Sequence, residues 1–176
     1  MKTGLDYYRI KTDWTTEKED GGLEKIKTEE LVLASSYTEA EKIAYAIAES
    51  QNRTRFSSIK PEIIRTKISD ILYNDSLMHD NTTVEGMVEN YFQEAEDSGV
   101  GLYAVKVMFI TIDEKTAKEK RHTETIYVPA NSNVNAANFV SSTLNGMDFT
   151  IRDVKFDKAE AIFWPVDVQE EKMNNG

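Results

Sequence analysis

At 176 residues, with 40% hydrophobic and 30% charged side chains, the chain is long and apolar enough to bury a core, as one domain or as two small ones. It has no cysteine, which excludes disulfides, thiol nucleophiles and thiolate metal sites. Its net charge of −10 repels polyanions, its apolar stretches are too short to span a bilayer, and residues 1–11 lack the apolar core of a signal peptide, so a cytoplasmic protein with no membrane contact is expected.

Residues 6–14 alternate with period two, placing Tyr8, Ile10, Thr12 and Trp14 on one face of a strand and Arg9, Lys11 and Asp13 on the other. A polar connection over 17–22 ends in the turn signal Gly21-Gly22, and a second strand follows over 26–34. Ser36-Tyr37-Thr38-Glu39 has the form of a capping box, and Ala40, Ile43, Ala44 and Ile47 behind it share one helical face. A long third strand is expected over 62–73, carrying Ile63, Ile64, Ile68, Ile71 and Leu72.

Next comes a segment that reads as an amphipathic helix. Thr82 to Glu85 offers a second capping box, and Val84, Met87, Val88, Tyr91, Phe92 and Ala95 follow helical spacing. From Ile68 to Val105 there is no Lys or Arg, so the opposite face of this helix is acidic. Glu85, Glu89, Glu94 and Glu96 are the candidate surface for a basic protein partner.

The remainder repeats the opening pattern at a shift of about 95 residues. Tyr8 meets Tyr103, Ile10 meets Val105, Lys11 meets Lys106 and Trp14 meets Phe109. Val32 meets Val128, Ala34 meets Ala130 and Ser36 meets Ser132. A second helix opens at Ser132 or Asn133, buries Ala136, Phe139, Val140 and Leu144, and stops at Asn145-Gly146. A long strand over 149–164 ends at Pro165, followed by a short polar tail. The expected fold class is α+β, with two tandem β-β-α-β repeats forming antiparallel sheets, helices on one face, and an inserted amphipathic helix. The boundaries are 1–73 for the first repeat, 74–100 for a linker holding that helix, and 101–176 for the second repeat. The open sheet face is then left for a partner.

Recognisable catalytic chemistry is missing. His79 and His122 lie in different segments without a second ligand at metal spacing, and Gly99-Val100-Gly101 precedes a strand where a nucleotide-binding loop follows one. No cofactor, no metal and no enzyme activity are expected, and carboxylate chemistry ranks last. Basic residues offer a different surface: Arg9, Lys11, Arg53, Arg55 and Lys106, flanked by Tyr7, Trp14 or Phe109, would suit single-stranded nucleic acid if those aromatics are exposed, while burial removes that reading. The leading expectation is a non-catalytic binding or regulatory protein that engages a protein through its sheet face or acidic helix. An unpaired edge strand in either copy would also let a second chain pair, giving a homodimer.

The Tyr7-Tyr8-Arg9-Ile10-Lys11 opening, the stretch 28–41 (Thr-Glu-Glu-Leu-Val-Leu-Ala-Ser-Ser-Tyr-Thr-Glu-Ala-Glu) and the stretch 105–115 (Val-Lys-Val-Met-Phe-Ile-Thr-Ile-Asp-Glu-Lys) resemble a family of Bacteroidetes and their phages, the domain of unknown function 4494. The resemblance spans most of the chain and carries no catalytic residues. It implies a cytoplasmic setting in a bacterial cell or phage-infected host.

Overall fold

The computed structural model describes residues 4–92 and 99–175. They form a mixed α+β fold with two sheets and three helices, in which strands predominate. The chain begins with β1 (Asp6–Glu17) and β2 (Leu23–Ala34), paired antiparallel over their full length from Asp6↔Ala34 to Glu17↔Leu23. Helix α1 (Tyr37–Ser50) and strands β3 (Glu62–Arg65), β4 (Asp70–Ile71), β5 (Met78–Val84) and β6 (Met87–Phe92) follow. A second hairpin, β7 (Gly101–Ile112) with β8 (Glu119–Ala130), leads into α2 (Asn133–Thr143), then β9 (Phe149–Asp157), β10 (Ala161–Pro165) and α3 (Val166–Asn175).

The chain divides into two compact units, one built on each sheet. The six-stranded sheet has the order β3-β1-β2-β10-β6-β5 and the four-stranded sheet the order β4-β8-β7-β9. In the first unit α1 covers the face carrying Tyr8, Ile10, Val32, Ala34, Ala161 and Phe163, and its own Ala40, Ile43, Ala44 and Ile47 complete that core. In the second unit Tyr103, Val105, Val107 and Phe109 of β7 join Ile126, Val128 and Ala130 of β8 against Ala136 and Val140 of α2. Period-two alternation on strands and the 3.6-residue period on helices produce both cores.

Three expectations are corrected. The stretch 82–95 is not an amphipathic helix over its described part: β5 and β6 form a hairpin turned by Glu85 (φ 51°) and Gly86 (φ 75°). Two successive positive φ values are what a two-residue hairpin turn demands, and Gly86 supplies one without strain. Of the apolar positions that matched helical spacing, Met87, Val88, Tyr91 and Phe92 belong to β6, which is buried on both faces from Met87 to Asn90. Each long third strand is in fact two short ones. β3 pairs antiparallel with β1, whereas β4 pairs parallel with β8 in the other sheet. Likewise β9 pairs antiparallel with β7, whereas β10 pairs parallel with β2 and antiparallel with β6. The polar tail is a helix instead: Val168 and Gln169 of α3 are buried, and Gln169 exchanges side-chain hydrogen bonds with Asn90 at 2.6 and 2.9 Å.

The sheet face opposite α1 is also less open than expected. Tyr7, Leu31, Leu33, Ile162 and Trp164 on it are buried, and the Trp164 indole donates to the Tyr7 hydroxyl at 2.6 Å.

Candidate functional site

Helix α1 begins at Ser36, whose hydroxyl accepts from the Glu39 amide at 3.1 Å. Glu39 reaches back one residue further than a standard box, accepting from the Ser35 amide and hydroxyl at 3.1 and 2.9 Å. The helix buries its alanine and isoleucine stripe, so the residues out of phase with that stripe face solvent. Tyr37 is 52% and Tyr45 44% exposed, and Glu41 and Glu49 continue their line at four-residue spacing. Two large amphipathic rings interleaved with carboxylates thus run along one exposed edge of the helix. Glu85, at the tip of the β5–β6 turn, approaches Lys42 of the same helix at 3.7 Å.

The helix ends in a Schellman motif. Asn52 adopts φ 55°, the Asn52 amide donates to the Glu49 carbonyl at 3.2 Å and the Arg53 amide to the Ala48 carbonyl at 2.9 Å. This reversal turns Arg53 into the protein. Its guanidinium grips the Glu30 carboxylate with two parallel bonds of 3.0 and 3.1 Å, and Nη2 also donates to Gln51 Oε1 at 2.7 Å. Gln51 Nε2 in turn donates to Glu89 at 2.9 Å, and the guanidinium lies 5.8 Å from the Trp14 ring centre. Glu30, Arg53 and Glu89 are all buried. Burial pushes the Glu30 carboxyl above its ordinary range; the bonds and charge of Arg53 pull it back, and the charge of Glu89 adds to the rise. Gln51 thus links the Glu30–Arg53 ion pair to a second buried carboxylate, Glu89.

The candidate residues therefore separate. Of the acidic set, Glu85 is exposed, Glu89 is buried within the network just described, and Glu94 and Glu96 lie outside the described residues. Of the basic set, Arg53 is buried and cannot meet a phosphate, Arg9 is held by Glu29 at 3.1 Å, and Arg55 lies 5.0 Å over the exposed Phe56 ring. Lys11 and Lys106 are exposed but belong to different units. The aromatic residues fare no better as stacking platforms. Tyr7 and Phe109 are buried, and Trp14 is half-buried with an indole nitrogen that finds no partner among the described residues. His122 stacks on Phe109 at 5.2 Å and approaches Glu124 at 3.7 Å. His79 lies in the other unit, 5.6 Å from the Tyr91 ring. No group of three or more potential metal ligands occurs among the described residues.

Sequence reasoning used α1 only as a capped core helix and passed over its outer edge. Part of the signal was present: Tyr45 and Glu49 fall out of phase with Ala40, Ile43, Ala44 and Ile47, whereas Tyr37 shares their phase and is exposed as the first residue of the helix. The inward turn of Arg53 left no comparable trace, because an Asn after a helix marks its end without saying what the next side chain will meet.

No curated protein and no solved structure matches this chain. A family model described as domain of unknown function (DUF4494) matches residues 6–166, and the chain belongs to that family.

Proposed function

We propose that this protein is a non-catalytic binding or regulatory module of bacterial or phage origin, and that it engages a basic segment of a protein partner along the exposed edge of α1. The observation that carries this reading is the pair of half-exposed rings, Tyr37 and Tyr45, set among Glu41 and Glu49 on a helix whose other side is locked into the core. Exposed tyrosines present broad contact area and a hydroxyl together, which is why they concentrate in interfaces. Lysine or arginine side chains of a partner would meet carboxylates and ring faces at once. Glu85 extends the acidic surface from the neighbouring turn. The cytoplasm is the natural setting for this reading, and the absence of cysteine supports it.

The two units also support descent from a duplicated β-β-α-β ancestor. Each contains an antiparallel hairpin of two 12-residue strands, then a serine-capped helix, then a third strand on the hairpin's outer side. The caps Ser36 (φ −161°, ψ 164°) and Ser132 (φ −164°, ψ 163°) have nearly one geometry. After the third strand each copy contributes a short parallel strand to the other sheet, β4 beside β8 and β10 beside β2.

Fluorescence anisotropy tests the binding reading. Labelled lysine- and arginine-rich peptides should bind the full chain in a salt-sensitive way, and Tyr45→Ala combined with Glu49→Lys should weaken that binding at least about tenfold. Labelled single-stranded DNA and RNA serve as the competing probes. Oligonucleotide binding at low salt that Arg55→Ala and Lys106→Ala weaken, with no peptide binding, would replace this reading with the nucleic-acid one.

A further inference from the structure

The second unit contains a surface cleft of a different chemical character. Its volume is about 410 Å³, within the range of roughly 300–1,000 Å³ typical of small-molecule sites. Asn74, Asn131, Asn135 and Asn138 bring four carboxamides to its walls, and Phe139 and Pro129 supply apolar surface. No charged side chain lines it. This neutrality extends well beyond the cleft. From Thr125 to Met147 the chain has no Asp, Glu, Lys, Arg or His, although the whole chain is 30% charged, and α1 in the other unit carries Glu39, Glu41, Lys42 and Glu49 over a similar length.

Solubility alone would be served as well by charges on the exposed positions of α2, so the choice of amides calls for a chemical reason. A carboxamide offers donors and an acceptor on one planar group, which matches the dual donor and acceptor character of a hydroxyl. Asn131, Asn135 and Asn138 are exposed. Asn135 Nδ2 donates to Asn131 Oδ1, which orients the two amides and leaves Asn131 Nδ2 and Asn135 Oδ1 without a partner among the described residues. Asn74 is fixed by a turn in which its Oδ1 accepts from the Ser76 amide at 3.0 Å. Lysine or glutamate in the same places would attract ions and add the cost of desolvating a charge when a neutral ligand covered it. The ring of Phe139, half-buried against the α2 core, and the largely buried Pro129 supply the cleft's ring-shaped apolar lining.

We propose that this cleft binds a short uncharged saccharide, its hydroxyls held by the asparagine amides and its C–H face resting on Phe139 and Pro129. The site lies in the second unit and rests on none of the residues that carry the α1 reading.

The test is a two-dimensional ¹⁵N NMR titration of the full chain with glucose, galactose, mannose and N-acetylglucosamine, with a capped glycine dipeptide as the rival amide ligand. At least one sugar should give saturable shifts confined to residues 74–77 and 129–142. Asn138→Asp, which changes one exposed amide to a carboxylate of the same shape, should weaken that sugar at least about fivefold and leave the remaining resonances in place. No saturable shift from any of the four sugars at concentrations on the order of 50 mM overturns the proposal. So does a response to the dipeptide alone, or an affinity that Asn138→Asp leaves unchanged.

Discussion

The two units place opposite chemistry at comparable points of their hairpins. On the helix-facing side of β2, two residues before Val32, stands Glu30; on the matching side of β8, two residues before Val128, stands Ile126. Both are buried, Glu30 at 1% and Ile126 at 8% exposure. Ile126 needs nothing but neighbours, and it packs with Val105, Val128 and the helix residues Ala136 and Val140. Glu30 needs a cation, and the first unit supplies one by ending α1 in a Schellman motif that folds Arg53 inward. A purely apolar core tolerates many helix endings, whereas the ionic one fixes a specific one. The first unit therefore couples the end of its helix to the centre of its sheet, and the second does not.

The strongest way to break this contrast is to remove the cation. Arg53→Ala leaves Glu30 and Glu89 buried together without a guanidinium, and it should lower the unfolding free energy by about 3–5 kcal/mol, read from urea denaturation. A loss below about 1 kcal/mol would mean that water enters and that the network contributes little. The sharper experiment makes the first unit resemble the second. Glu30→Ile combined with Arg53→Leu should recover most of that loss, ending within about 1 kcal/mol of the wild type or above it, because well-packed apolar replacements avoid the desolvation of both ions. If the double variant is as unstable as Arg53→Ala, the ion pair is needed for the fold itself and the parallel with Ile126 fails.

A smaller effect follows from the titration of Glu30. Its pKa in the folded protein is raised from the ordinary 4.5, chiefly by burial, so the folded state binds this proton more tightly than the unfolded chain does. The stabilisation linked to that proton is complete below 4.5 and is lost as the pH rises through the raised folded value. Charged groups facing Glu30 are Arg53 from the segment after α1 and Glu89 from β6, and both are buried beside it. Subtracting the stability profile of Glu30→Gln from that of the wild type should leave a difference that falls with increasing pH above 4.5. A difference that rises instead would place the folded pKa below the unfolded one. Replacing Ile126 cannot produce any such slope, which is the contrast between the units in its simplest form.

Much of this architecture was legible before any coordinate. The alternation over 6–14 and the Ser36 box located the first hairpin and helix, and the match of Val32 with Val128 located the second set. The third strands were not legible as pairs, because an apolar run such as 149–164 reads the same whether it stays in one sheet or leaves it at Lys158. Period two reports which face a residue takes and says nothing of which sheet receives it. The false helix over 82–92 has a different cause. Residues of a strand buried on both faces are apolar at many spacings, so a helical series can be picked from them. Glu85-Gly86 in the middle was the contrary sign, a turn pair like Asp-Gly. For the candidate site, exposure of Tyr45 could be read from helical phase, while that of Tyr37, in phase with Ala40 and Ala44, could not, nor could burial of Glu89 and Arg53, since charge alone predicts the surface.

The finest test of the contrast lies at the helix starts, where the two units look most alike. Ser36 and Ser132 each accept from the amide three residues on, at 3.1 Å in both cases. Replacing either by alanine should cost about 1 kcal/mol of global stability. The local consequence should differ. Helix α1 has 14 residues and buries five of them, whereas α2 has 11 residues and buries only Ala136 and Val140; each keeps a side-chain contact to the residue before its cap, Glu39 to Ser35 and Asn135 to Asn131. With less tertiary burial to hold its first turn, α2 depends more on its cap, since packing of an apolar face supplies most of the stability of a short helix. Hydrogen exchange at Asn135 and Ala136 in Ser132→Ala should therefore accelerate more than exchange at Glu39 and Ala40 in Ser36→Ala. Equal acceleration would show that the caps act independently of the packing behind them, and the distinction between the two units would then be confined to the buried pair Glu30 and Arg53.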